Sequence, residues 1–335
     1  MSKGIRQVQH KKWKLGRKYF MHSLLLTIVL MLVCGSFPIS YNAAFHDSDR
    51  SVKLISKKDE MDDLRQQIEE FSKQNEVEPI DAKVDKVWKA IPGYNGLRVD
   101  IKASLKEMKA KGEFDEKKII YKEISPKVHL EDLDPQPIYR GNPQKPMVTL
   151  LINVAWGNEF IPPILKALKN HKVKATFSFD GSWVKKNPEL AKMIYKEGHE
   201  IGNHAYSHPD LQKRSEAETM DELKKTNEVI QETLGTTPKW FGPPSGSFNQ
   251  TTVNVAHQLN MKTILWTVDT VDWKKPETSE MVNRIVSNVE NGSIVLMHPT
   301  KPVAEGLDAM ISGIKEKGLK LGTIGDLMSE KRIDE

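Results

Sequence analysis

The sequence predicts an α/β protein whose main body is a parallel sheet wrapped by helices, either closed as a barrel or doubly wound. Two observations carry this expectation. From residue 147 onward short apolar runs alternate with helical segments, with strands expected near 147–154, 175–179, 200–203, 240–242, 263–266, 293–297 and 319–323. Every polar constellation of interest follows the end of one of these runs, and in parallel β/α folds, barrels especially, the carboxyl ends of the strands carry the chemistry.

The elements before residue 147 are read in order. The chain has 335 residues, enough for a leader, a small domain and one large core. Residues 1–18 hold seven basic side chains and no acid, so subtracting these seven from the net +5 leaves −2 for the rest. Such a body speaks against a nucleic-acid partner, because phosphate binding needs a cationic face on the folded domain rather than on a tail. The overall 38% hydrophobic and 28% charged content excludes wholesale disorder and a multi-span membrane protein. Behind the basic tail, 20–37 is an apolar run containing Leu24, Leu25, Leu26, Ile28, Val29 and Leu30. Extended through 36–41, it approaches the ~20 residues that span a bilayer. The basic flank predicts a cytoplasmic N-terminus with the body outside the membrane. Residues 1–41 are therefore read as a basic tail and single-pass membrane anchor. A signal-peptide core of ~7 to 15 apolar residues also fits, in which case the leader is cleaved and the body secreted. Cys34, the single cysteine, lies inside this run and has no intramolecular disulfide partner.

Residues 42–78 read as a helical stalk, since Met61, Leu64, Ile68 and Phe71 recur at helical spacing in a highly charged segment. A solvated spacer holding the body off the membrane is the expected role. Residues 79–146 read as a small α/β subdomain with a Pro-rich linker. Its expected elements are a helix over 82–90, a turn at Tyr94-Asn95-Gly96, a strand over 97–101, a helix ending near Gly112 and a strand over 118–123. His129 follows in a polar stretch with no evident partner, and Pro135, Pro137, Pro143 and Pro146 punctuate the approach to the main domain, 147–335.

Four constellations follow strand ends in that domain. His204 and His208, four residues apart, have the spacing for one Zn²⁺ or similar cation, although two surface histidines at a helix start would look the same. His298 ends a buried-type strand; it is either structural or, at the same end as the histidine pair, a general acid titrating near neutrality. Pro243-Pro244-Ser245 is a stiff loop whose amide N–H groups can be preorganised toward an oxyanion, or a plain turn. Trp266, Asp269, Asp272 and Trp273 combine acids with indoles, a composition that suits a carbohydrate face but equally a core.

In order and spacing these motifs resemble those of the NodB-homology polysaccharide deacetylases over 147–335. In detail they are similar to the sporulation-associated deacetylases of bacilli, whose first motif ends in Trp-Gly as Trp156-Gly157 does here. The resemblance implies a distorted (β/α) barrel that removes acetyl groups from N-acetylated sugars of a cell-wall polysaccharide, peptidoglycan or a chitin-like polymer. It also implies a divalent metal, Zn²⁺ by preference, whose bound water attacks the amide carbon. Carried over by position, His204 and His208 bind the metal, His298 protonates the leaving amine, and the Ser245 backbone N–H holds the oxyanion. Leu296 and Trp273 line the acetyl-methyl pocket.

The departures from the family pattern fall in one functional unit. The family's first motif supplies two adjacent aspartates, a base and a third metal ligand, where this chain has Asn153 and Val154. An amide accepts no proton at neutral pH, and general-base assistance contributes typically ~10²- to 10⁴-fold in rate. Gly242 replaces the arginine expected before Pro243, so Asp272, which in relatives orients that arginine, is expected to be unpaired. Two readings follow. In one, the chain is an unconventional deacetylase in which Asp180 completes the metal shell and Asp272 serves as base, although Asp180 can equally cap the next loop. In the other, it is a catalytically inactive, membrane-tethered glycan-binding or scaffolding protein.

Overall fold

The structure is a computed structural model that describes residues 48–332. The basic tail, the apolar run and Cys34 lie outside the described residues. Among those described, no helix is long and apolar enough to cross a membrane.

The first described element is helix α1 (Ser48–Asn75). Its Leu64 and Ile68 are buried to 1% and 0% exposure in a core shared with Val99, Met108 and Ile119. This stretch of α1 is therefore packed, and the expectation of a solvated spacer does not hold for it. The helix expected over 82–90 is instead a hairpin, β1 (Lys83–Asp85) and β2 (Lys89–Ile91), paired antiparallel. The reason is local: the Asp85 carboxylate accepts from the N–H groups of Val87 at 2.8 Å and Trp88 at 2.9 Å, and Lys89 takes a left-handed φ of 58°. Strand β3 (Gly96–Val99) stops before Ile101 because the Asp100 side chain accepts from Ala103 N–H at 2.9 Å and caps α2 (Ile101–Met108). Strand β4 (Tyr121–Ile124) pairs antiparallel with β3.

The main sheet starts with β5 (Met147–Val154), eight residues of which all but the first are buried. Val148, Leu150, Ile152 and Val154 enter the large core that also takes in α3 (Ile161–Asn170), whereas Leu151 enters a second core with Ile138, Ile264, Ile294 and Leu296. A strand covered on both faces has no polar side to show, which is why it reads as a continuous apolar run. It is followed by β6 (Thr176–Phe179), α4 (Gly181–Lys186), α5 (Pro188–Lys196), β7 (Glu200–Asn203) and α6 (Glu216–Leu234). Helix α6 begins at a reciprocal Ser215/Glu218 capping box and ends at Gly235 with φ 71°. Next come β8 (Trp240–Phe241), α7 (Gln250–Gln258), β9 (Lys262–Thr263), β10 (Val268–Asp269), α8 (Thr278–Asn288), β11 (Ile294–Met297), α9 (Lys301–Glu316), β12 (Lys320–Gly322) and α10 (Ile324–Met328). The parallel sheet runs β10-β11-β5-β6-β7-β8-β9, with β12 on the first residues of β5. No β9–β10 pairing closes this path among the described residues, so the sheet is a curled half-barrel.

The Pro-rich segment is pinned rather than free. Ile138 bridges in parallel to Ile264, Gly141 N–H donates to Gly292 O at 2.8 Å, and Arg140 pairs with Glu290 at 2.9 Å. His129, without an evident partner in sequence, meets Glu330 at 2.9 Å, and this carboxylate raises its pKa. Around that contact the chain's end is stitched down: Asn95 N–H donates to Glu330 O at 2.8 Å, the Lys145 ammonium donates to Ser329 O at 2.6 Å, and the Arg332 guanidinium lies 3.9 Å from the Tyr94 ring centre.

Two stability predictions follow from this packing. Leu64→Ala should lower the unfolding free energy by about 2 to 4 kcal/mol in urea titration, the cost of a buried Leu truncation; an effect under ~0.5 kcal/mol would mean α1 is not packed. His199 is 4% exposed, packs tilted against the Phe177 ring and accepts from Ala175 N–H, and burial pushes its pKa down to about 4. Because the folded value lies below the unfolded one of ~6.5, its contribution is complete above pH ~6.5 and is lost as pH falls toward 4. Stability measured across that window should drop, and the drop should be smaller in His199→Gln.

Candidate functional site

The mouth of the half-barrel is assembled from the carboxyl ends of β5, β7, β8 and β11. His204 follows β7 directly and is 1% exposed. Its Nδ1 lies 2.6 Å from the Gly242 carbonyl oxygen, which can only accept, so Nδ1 carries the proton and Nε2 keeps a lone pair. Burial, then the neighbouring His208, pushes the His204 pKa down to about 3, so the ring is neutral. His298 also acts in that direction on His204, which places all three imidazoles in one electrostatic neighbourhood. The His204 and His208 ring centres are 5.2 Å apart at 72°.

The loop carrying His208 is held in an unusual shape. Ala205 and His208 adopt left-handed φ of 60° and 56°. Glu222 of α6 accepts from the N–H groups of Tyr206 and Ser207, each at 2.8 Å, and from the Ser207 hydroxyl at 2.7 Å. Nothing near His208 in sequence points to Glu222; only the fold reveals it as the brace of this loop.

His298 directly follows β11 and is in contact with Asp272. The Asp272 carboxylate is fully buried and accepts from His298 N–H at 2.8 Å and the Thr270 hydroxyl at 2.5 Å, while its other oxygen lies 3.1 Å from His298 Nδ1. The expectation that Asp272 is unpaired is thus corrected: with its arginine partner absent, it is bonded to His298 and Thr270, and it has no free face to act as a base. Trp156 stacks on the His298 ring at 5.9 Å and 10°. Gly157 permits that approach, for a Cβ there would lie 2.0 Å from the Pro299 carbonyl oxygen.

Asn153 ends the mouth-facing series of β5, 4% exposed, and its Oδ1 has no hydrogen-bond partner. The Ser178 hydroxyl beside it is also unpartnered. A Cβ at Gly242 would sit 3.5 Å from Ser178 Oγ, 3.6 Å from Asn153 Oδ1 and 3.8 Å from His204 Nδ1, so a side chain at 242 would enter this polar cluster. Val154 points the other way, into the main hydrophobic core at 0% exposure. Asp180 does not make up for it: its carboxylate accepts from Trp183 N–H at 2.8 Å and the Ser182 hydroxyl at 2.7 Å, capping α4. Burial raises its pKa, against the opposing pull of those bonds and of His208. No group of three metal-ligating side chains is found among the described residues, so the donor set around the two imidazoles does not fit a three-ligand divalent centre.

The proline loop follows β8. Ser245 has a left-handed φ of 54°, and the two bonds that close its turn, Gly246 N–H to Pro243 O and Ser247 N–H to Pro244 O, leave the Ser245 N–H out. Leu296 is 3% exposed in the core next to Trp266, beneath the mouth. Trp273, in contrast, is 54% exposed and Trp156 46%, and both line a cleft of about 590 Å³ with Asp272, Lys275 and Thr300.

Residues 140–264 match the family model for polysaccharide deacetylase. The Bacillus subtilis (strain 168) protein YlxY is 52% identical over 81% of this chain and 85% of its own length. A peptidoglycan-N-acetylglucosamine deacetylase of Bacillus cereus is 35% identical over 58% of this chain and 72% of its own. The crystal structure of a CE4 family pseudoenzyme from Bacillus anthracis superposes with a TM-score of 0.77 at 51% identity, covering 81% of this chain and 96% of that one. A mutant of that pseudoenzyme is described as having restored enzymatic activity.

Two outcomes are expected at the mouth. Asp272→Ala strands two buried donors and should cost about 2 to 3 kcal/mol in thermal or urea unfolding. Glu222→Ala should raise amide hydrogen exchange at Tyr206 and Ser207 about tenfold, consistent with the loss of bonds of ~1 to 1.5 kcal/mol, while leaving β7 protected.

Proposed function

The chain belongs to the polysaccharide deacetylase family, and we propose that it serves as a glycan-binding member whose site is not equipped for the family's usual hydrolysis. The observation that carries this reading is the fate of the carboxylates. The base position holds Asn153, the third-ligand position holds core-facing Val154, and the two nearby acids are committed elsewhere, Asp180 to a helix cap and Asp272 to His298. With no proton acceptor at the base position and no third donor for a metal, the divalent ion implied by the family, zinc included, has no complete set of ligands. The site's residues bind and orient, and no hydrolytic step is assigned to them.

What remains intact is suited to recognition. Trp156 and Trp273 present about half their surface to solvent along one cleft, an uncommon placement for two indoles and a good one for stacking on sugar rings. The relatives act on peptidoglycan according to their names, so the partner proposed is a cell-wall polysaccharide bearing N-acetyl groups. The location proposed is the outer face of the cell membrane, with 20–37 as the tether. A residual slow deacetylase is favoured by one feature alone: Asp272 still orients His298, the group carried over as general acid.

The test is direct. The purified protein should hold no stoichiometric zinc, release no acetate from N-acetylglucosamine oligomers or peptidoglycan, and still bind those oligomers with a change in tryptophan fluorescence. Asn153→Asp alone should restore little. The pair Asn153→Asp and Val154→Asp supplies the base and, by turning the side chain of the last residue of β5 out of the core toward the mouth, the third ligand oxygen, and should raise acetate release over the parent toward the ~10²- to 10⁴-fold attributed to general-base assistance. Acetate release by the parent at the rate of the doubly substituted protein, or failure to bind any glycan, would overturn the proposal.

A further inference from the structure

The β1–β2 hairpin carries the most exposed large hydrophobic side chain of the described residues, Val87 at 68%, with Val84 at 52% three residues before it. Lys83 and Lys86 are exposed and Lys89 half-buried beside them, and no ion pair of the described residues involves any of the three. The one acid of the tip, Asp85, is occupied in the turn by the N–H groups of Val87 and Trp88. Trp88 is not part of the exposed face: the Arg140 guanidinium covers its ring at 5.4 Å, and Arg140 is itself paired with Glu290. The hairpin is thus anchored at its base, while its tip combines two exposed valines with three lysines, of which only Lys83 has an acid, Asp85, in its electrostatic reach.

We propose that this tip is a docking element for a bilayer surface rich in anionic lipid headgroups. Lysines on a short rigid turn attract headgroup phosphates, and their aliphatic stems let the charge stay in the polar layer while neighbouring apolar groups go deeper. The valines decide between partners. A hydrated polyanion would be met by the lysines alone, whereas two exposed β-branched side chains gain only where they leave water for the headgroup–acyl boundary. The contact is one of the folded body, separate from the segment 20–37 and from the glycan cleft. Three lysines and two valines give weak binding in isolation, which suffices for a body already confined near a membrane.

The full chain, with Cys34→Ala and Val87→Cys carrying an environment-sensitive dye, is reconstituted into vesicles of phosphatidylcholine with or without phosphatidylglycerol. The dye should shift to the blue with phosphatidylglycerol only, and the shift should vanish in high salt. Removing each lysine charge should weaken the response about fivefold, so Lys83→Gln with Lys86→Gln should nearly abolish it. Val84→Asn should weaken it without altering its salt dependence. Emission that stays water-like in anionic vesicles would overturn the proposal, as would an equal shift with a soluble polyanion lacking acyl chains, which would mark the tip as a polyanion site. Should the lysine variants fail to fold, the salt titration of the labelled parent decides.

Discussion

The alternation of side chains along β5 is the constraint on which the rest depends. A buried central strand must send successive residues to opposite faces, and here Val148, Leu150, Ile152 and Val154 supply the main hydrophobic core while Leu151 and Asn153 supply the concave side. That division sets which position at the strand's end can take part in chemistry. Asn153 reaches the mouth, whereas Val154 is held by the packing of the helices. A carboxylate at 154 would have to leave that apolar packing before it could reach the mouth.

Around that strand the polar groups fall into two sets with different fates. His298, Asp272 and Thr270 form a closed arrangement in which every carboxylate oxygen has a partner. Asn153 Oδ1 and Ser178 Oγ, both beside Gly242, have none. The contrast divides the mouth: the side at Asn153, Ser178 and Gly242 is polar and unpartnered, and the side that positions the His298 imidazole is fully bonded. A buried carboxylate is costly unless it is fully bonded, and Asp272 meets that condition through His298 and Thr270.

Much of this was legible in the sequence, and what was not has identifiable causes. Strands β5 and β7 were read to the residue because buried parallel strands are unbroken apolar runs bounded by turns. The two-residue β10 was missed because Val268 and Asp269 carry no pattern of their own and pair only through β11. The segment 82–90 imitated a charged helix, and the Asp85 turn, visible only as one carboxylate among lysines, overrode it. The strand-end histidines could be placed together from topology alone. Asp272 could not, because its partner lies 26 residues onward, across a tertiary contact; nor could Glu222, which braces a loop from a helix that looks merely solvated.

The clamp between the chain's end and its small N-terminal subdomain has a consequence for how the molecule is made. Tyr94, Asn95, Glu123 and His129 are translated about two hundred residues before Glu330 and Arg332, which complete their bonding. Loop closure over such a span is late and entropically costly, so these bonds to the small subdomain form only once residues 330–332 have been made. A subdomain finished by contacts from so far along the chain has its folding tied to that of the main body, whose strands lie between the two halves of the clamp.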